Sequence, residues 1–320
     1  MTKLRNAVLA LIVAQAGAFA ADQGLLSMVM PDAKVVAGVQ VDASKNSLFG
    51  QYVLSHMQVD DKNFTKLLAD TGFDPRRDVT EIVMASNWSG DANARWLVLA
   101  RGFFNATRIA SAVQTNGGNI VSFSGINLLG GSVTPKTGQN PVVAFLDQSN
   151  AAMGDPDSVK AAVLRFQKGE KSAAIQANTK IQDLMGSNDF WFYSMVPISE
   201  FAGAMPDPNL GQAMQGNLLQ AITQVSGGLK FGSMVRLSAE AVTRSDKDAG
   251  ALVDVVRFLA GMIQLNKDKS PAASDVSSLV DTMDLKTNGN VMTMSLLIPE
   301  AQLEKILESA KSDKKQTAHK

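Results

Sequence analysis

Residues 189–196 read DFWFYSMV, and this stretch decides the fold. With a period of two, Phe190, Phe192 and Val196 face one way and Trp191, Tyr193 and Met195 the other. A strand that is apolar on both faces belongs in the middle of a layered structure, or where two sheets meet. It lies just past the middle of a 320-residue chain. It therefore predicts two halves that pack tightly against each other, with one continuous sheet as a way of joining them.

Working outward, the two sides carry the same order of elements. Downstream, a helix begins over Ser199–Ala204 and another lies near Gly211–Ala221. Strands follow at Ile222–Gly228 and Ser233–Thr243, then a helix from Ser245/Asp246 to Leu265. Asp281–Thr287 and Asn290–Ile298 form a hairpin about Asn288-Gly289, a strong two-residue turn signal, and Pro299-Glu300 opens a helix to Ser309. Upstream, Lys34–Val41 is a strand, followed by helices near Ser44–Met57 and Asn63–Asp70. Val79–Ala85 and Arg95–Arg101 form a hairpin across Asn87–Asp91. A helix over Asn105–Gln114 has Asn105 at its N-cap. Strands follow at Asn119–Ser124 and Asn127–Val133, and a hairpin at Val142–Asp147 and Ala151–Gly154. Asp155-Pro156 then opens a helix to Gln167, with Asp at the N-cap and Pro at the first helical position.

Each half thus reads strand–helix, hairpin–helix, hairpin–helix. The expected class is α+β: two repeated ferredoxin-like halves, with a mostly antiparallel sheet and helices on one face. The predicted boundaries are 1–20, a signal peptide; 21–167, the first repeat; 168–186, a partly helical linker; 187–310, the second repeat; and 311–320, a disordered basic tail.

Lys3 and Arg5 precede the apolar run Ala7–Ala14, and Ala18-Phe19-Ala20 supplies an A-x-A pattern. This is the layout of a secretory signal peptide cleaved after Ala20. The run is well short of the roughly 20 residues that span a bilayer. The predicted location is periplasmic or secreted, with no membrane span after cleavage. The helix ending at Leu265 contains Asp254, Arg257 and Gln264, and Leu252, Val255, Val256, Leu259, Met262 and Ile263 recur at helical spacing, so it reads as an amphipathic core helix.

Charge and composition exclude further classes. The chain carries 30 Lys+Arg against 30 Asp+Glu. Removing residues 1–20 takes two basic groups, leaving 28 against 30; without residues 311–320, which hold four Lys and one Asp, the body is 24 against 29. The zero net charge of the whole chain argues against a generic nucleic-acid binder, and a body of −5 with a short basic tail suits an exported protein. The absence of cysteine removes thiol nucleophiles, Cys-based zinc sites and disulfides. A chain of this length buries about three quarters of its unfolded surface and needs no such staple.

Four stretches then carry a resemblance: MPDAKVVAGVQVD near the mature start, GFDPRRDVTEIVMAS (72–86), WLVLARGFFNATRIASAV (96–113) and VVAFLDQSNAAMGDPDSVKAAVLRF (142–166). Together they resemble uncharacterised exported bacterial proteins, chiefly of Acidobacteria-like lineages, with a signal peptide and two α+β repeats. The resemblance implies export and the repeat, and no activity, cofactor or site residue.

The residues themselves show little catalytic chemistry. There is no phosphate-binding glycine motif, no nucleophile elbow and no zinc helix. Of two histidines, His319 lies in the tail and His56 late in a predicted helix, where a cation suits the helix dipole. Ser312–Lys315 matches S-x-x-K by chance in the tail. Asp60, Asp61, Asp74, Asp78, Glu81, Asp155 and Asp157 sit where turns and caps want carboxylates. Within Asp74-Pro75-Arg76-Arg77-Asp78, Arg76 and Arg77 either capture an anion or answer the two aspartates; the local ion-pair reading is the stronger. Trp88 and Trp96 offer a partner or glycan contact, or anchor a turn. Met283, Met292 and Met294 suit core packing better than a copper site. The sequons at Asn63, Asn87 and Asn105 matter only in a glycosylating host. No cofactor is expected. The leading function is binding or scaffolding with an envelope protein. The alternative is a small-molecule or glycan binder using the cleft between the halves, and a carboxylate-dependent hydrolase comes third.

Overall fold

The structure is a computed structural model and describes residues 23–47, 50–51, 62–88, 94–130, 140–169, 172–197, 200, 217–265, 277–303 and 305. The signal-peptide reading with Ala20, His56, the helix start at Ser199 and the tail 311–320 lie outside these residues.

Twelve strands form one sheet. They are β1 (Val35–Gln40), β2 (Val79–Ser86), β3 (Trp96–Gly102), β4 (Asn119–Phe123), β5 (Ile126–Gly130), β6 (Val142–Phe145), β7 (Asn150–Gly154), β8 (Phe190–Ser194), β9 (Ile222–Lys230), β10 (Met234–Thr243), β11 (Asp284–Asn288) and β12 (Val291–Pro299). The helices are α1 (Gln23–Ser27), α2 (Val41–Lys45), α3 (Lys62–Thr71), α4 (Pro75–Asp78), α5 (Ala106–Thr115), α6 (Pro156–Lys168), α7 (Ala173–Gln176), α8 (Thr179–Ser187), α9 (Asn217–Gln220) and α10 (Asp246–Leu265). The chain is an α+β protein with a large antiparallel sheet. The strand order is β11-β12-β10-β9-β8-β1-β2-β3-β7-β6-β5-β4, and each pair of neighbours is antiparallel.

The doubly apolar strand β8 is the seam. β8 pairs β9 on one side and β1 on the other. Trp191 is fully buried and stands opposite Gly38. A Cβ built on Gly38 would lie 2.4 Å from the indole Nε1, so the absent side chain is what lets the ring lie across the seam. Asp189 pins the approach: its backbone carbonyl accepts from Gln40 N at 2.9 Å, its carboxylate accepts from Phe231 N at 2.8 Å, and it pairs with Lys230.

Outward from this seam the strands run β1-β2-β3-β7-β6 on one side and β8-β9-β10-β12-β11 on the other, and β5 and β4 extend the first side. On both sides a lone strand comes first, then a hairpin, then the two strands of a later hairpin. This differs from a ferredoxin-like unit, where a third strand lies between the two strands that a helix joins. Here β1 and β2, with α2 and α3 between them in the chain, are direct neighbours.

Helices also cover both faces of the sheet rather than one. On the first face, Val36, Val83, Leu97, Leu99, Trp191 and Tyr193 pack against Leu25 and Leu26 of α1, Val159 and Val163 of α6, and Ile181 and Leu184 of α8. On the opposite face of the second half, Ala241 and Met292 pack against Leu252 and Val253 of α10. β3, read from the sequence only as one strand of a hairpin, is apolar on both faces: Leu97 and Leu99 enter the main core, and Val98 and Ala100 point the other way. The segment 168–186, expected as a linker, buries Ile175, Ile181 and Leu184 in the core that holds β8.

Candidate functional site

The second face of β3 borders a concavity. Val98 and Ala100 of β3 stand in register with Met153 and Ala151 of β7, and Val143 and Phe145 of β6 continue the floor. The pair Ala100–Ala151 leaves two methyl groups where neighbouring positions carry larger side chains. Over this floor runs α5. Asn105 Oδ1 caps it by accepting from Arg108 N at 3.0 Å. Ile109 and Val113, four residues apart on one helix face, point down into the space. The helix spans the floor without filling it, and a cavity of about 540 Å³ remains.

One end is closed by aromatic rings. Phe104 packs against Phe73 with centroids 5.8 Å apart, and against Phe145 at 5.4 Å. The other end is a rim of Asn116, Gly118, Gly130 and Pro141. A Cβ on Gly118 would meet Val113 Cγ1 at 2.4 Å, so a side chain there would force the rim apart. Among the described lining residues, Asn116 alone carries a side-chain hydrogen-bonding group. Its Nδ2 donates to Asp70 Oδ2 at 3.0 Å and to Ala112 O at 2.7 Å. Lys66 pairs with the same Asp70 oxygen at 2.9 Å. Hydrogen bonds from Lys66 first, and from Asn116, hold the Asp70 carboxyl below its ordinary value.

Arg76 and Arg77 adjoin Phe73 in the chain, and both meet aspartates. Arg76 makes a bidentate pair with Asp74, Nε to Oδ1 at 2.9 Å and Nη2 to Oδ2 at 2.7 Å. Arg77 does the same with Asp78 at 2.6 and 2.7 Å, and also donates to Gly72 O at 2.9 Å. Asp74 is the N-cap of α4, and its own N–H donates to Asp78 Oδ2 at 2.9 Å. The hydrogen bond from Arg76 depresses the Asp74 pKa, and that from Arg77 depresses the Asp78 pKa. This cluster fixes the turn that leads from Phe73 into β2.

Trp88 and Trp96 flank the β2–β3 connection and are half-buried. Trp88 has φ 38°, and its N–H donates to Ser86 Oγ at 3.1 Å. The N–H of Trp96 donates to Asp155 Oδ2 at 2.9 Å, while Asp155 Oδ1 caps α6 by accepting from Ser158 N at 2.9 Å. Met292 is buried against Ala241 and Leu252. Among the described residues, no group of three or more His, Asp or Glu is placed to hold a metal ion.

A second, smaller concavity of about 250 Å³ lies on the first face of β9, β10 and β12. It is polar: Ser226, Ser238, Thr293 and Ser295 line it beside the Lys180–Glu240 pair at 2.5 Å. Sequence reasoning missed both concavities. The signal available for the larger one was the two alanines, whose opposition depends on strand register.

No protein-family model and no curated protein matches the chain. Among solved structures, crystal form I of TP0453 is similar to it, with a TM-score of 0.46 and 11% sequence identity over 91% of this chain and 98% of that one. No helix of the described residues is long and apolar enough to cross a membrane.

Proposed function

We propose that this chain is an exported, non-catalytic binding protein whose first half holds a small apolar ligand beneath α5. The observation that carries the reading is the cavity. Its 540 Å³ falls within the roughly 300–1,000 Å³ of small-molecule sites. Its walls are aliphatic and aromatic side chains, which suit an apolar guest. Filling it would restore the dispersion contacts that the Ala100–Ala151 pair leaves unmade. The ligand site belongs within the first half and not in a cleft between halves, because β1 and β8 close that boundary with a strand ladder. Export rests on residues 1–20, whose layout is that of a cleaved signal peptide. The matching strand orders on either side of the β1–β8 seam support a duplicated unit.

The test is a titration of the purified protein with N-phenyl-1-naphthylamine, an uncharged probe that brightens in apolar surroundings. We expect saturable, one-to-one binding. Ala100→Leu and Ala151→Leu each place a larger side chain in the cavity and should weaken binding at least about tenfold while the fold is kept, because added volume enters vacant space. Unsaturable binding, or full binding by both variants, contradicts the proposal.

A second reading, docking of a protein partner, draws on α10. Val255, Phe258, Leu259, Met262 and Leu265 are exposed and recur at helical spacing along α10, beside the buried Leu252. Such an apolar stripe is a common mark of an interaction surface.

A further inference from the structure

The rim of the cavity constrains the ligand further, and this step rests on the cavity reading. Both N–H bonds of the Asn116 amide are committed, one to Asp70 and one to Ala112 O. The amide oxygen is therefore the side-chain group that the rim can offer a ligand, and it accepts. Asn116 is also the C-cap of α5, so the negative end of that helix dipole points to the same place. Lys66, which shares the Asp70 oxygen with Asn116, is answered by that carboxylate. The rim thus offers an acceptor in a slightly negative field, without an unanswered positive charge among its described groups.

We infer that the site selects an uncharged amphiphile whose apolar chain or ring enters the cavity and whose terminal hydroxyl donates to Asn116 Oδ1. A free carboxylate is rejected on two grounds. It has no proton to give the amide oxygen, and it would bring negative charge to a helix C-terminus.

The experiment is displacement of bound N-phenyl-1-naphthylamine at pH 7.5 by dodecan-1-ol and by dodecanoate, each kept below its aggregation limit. Dodecan-1-ol should displace the probe, with dodecanoate about tenfold weaker, the order of one charge-modulated hydrogen bond. Asn116→Ala should bring the two competitors to within about threefold of each other, with each displacement referred to the variant's own affinity for the probe. Asn116→Asp, which puts a carboxylate at the rim, should widen the gap in favour of the alcohol. Displacement by dodecanoate equal to or better than by dodecan-1-ol overturns the inference, as does an unchanged ratio in both variants. These results leave the cavity reading standing, since the probe itself still binds. Failure of the wild-type protein to bind the probe removes the cavity reading, and this inference with it.

Discussion

At the residue scale, a few side chains hold features that nothing nearby can replace. Trp191 lies over Gly38, and a valine at residue 38 would drive carbon atoms into the indole. Gly38→Val should cost about 1–3 kcal/mol in urea unfolding, the usual penalty for overpacking a closed core. A neutral result would mean that the ring can move aside. Asp155 joins the α6 N-cap to the backbone of Trp96 through its two oxygens. Asp155→Ala should cost at least the ~1 kcal/mol of a lost cap. Both Asp74 and Asp78 are held below the ordinary value of 3.8 by their arginines. A depressed carboxyl adds stability above its unfolded pKa and loses it as pH falls through its folded one. The Tm should therefore fall as pH drops from 5 towards 3, and Asp74→Asn should flatten that slope; an equal slope in the variant would show that the pairs add nothing. Caps such as Asn105 and Asp155 were legible in the sequence because donor and acceptor lie three residues apart. The fit of Trp191 on Gly38 was not, because it joins residues distant in the chain.

At the element scale, α10 presents one wide apolar arc, and only part of it meets the sheet. The sequence reading grouped Leu252, Val255, Val256, Leu259, Met262 and Ile263 as one core stripe. In the structure Leu252 is buried, whereas Val255, Leu259 and Met262 are exposed. Helical periodicity finds apolar residues but cannot say how much of a wide apolar arc a flat sheet will cover. Leu252→Ala should cost about 2–5 kcal/mol as a core truncation. Phe258→Ala, at a side chain 67% exposed, should change stability by less than about 0.5 kcal/mol. Chemical denaturation of the two variants checks this, and equal costs would mean that the stripe is covered. The strand itself was easier to read: Val79–Ala85 was expected and β2 spans Val79–Ser86, though which of its faces is buried was not legible, since the buried residues are Val79, Glu81, Val83 and Ala85. The floor of the cavity was not readable, because Ala100 and Ala151 are ordinary strand residues until register places them side by side.

At the scale of the whole molecule, the β1–β8 ladder makes two similar halves into one sheet. The doubly apolar stretch 190–196 pointed to that union, whereas the ferredoxin-like order expected within each half is not the order of neighbours in the sheet. The order of neighbours within each half was beyond reach, since the same sequence of elements permits either direct or split pairing. The structure also separates the two halves by what they cover. In the second half α10 lies close on Ala241 and Met292, whereas in the first half α5 stands over a cavity floored by alanines. That difference underlies the binding function proposed here. Its most direct test is a methyl NMR titration of the protein with dodecan-1-ol. Shifts confined to Val98, Ala100, Ile109, Val143 and Met153, with Leu252 and Leu259 unmoved, are the predicted result. Shifts along the exposed stripe of α10 with the cavity methyls unchanged would contradict the account.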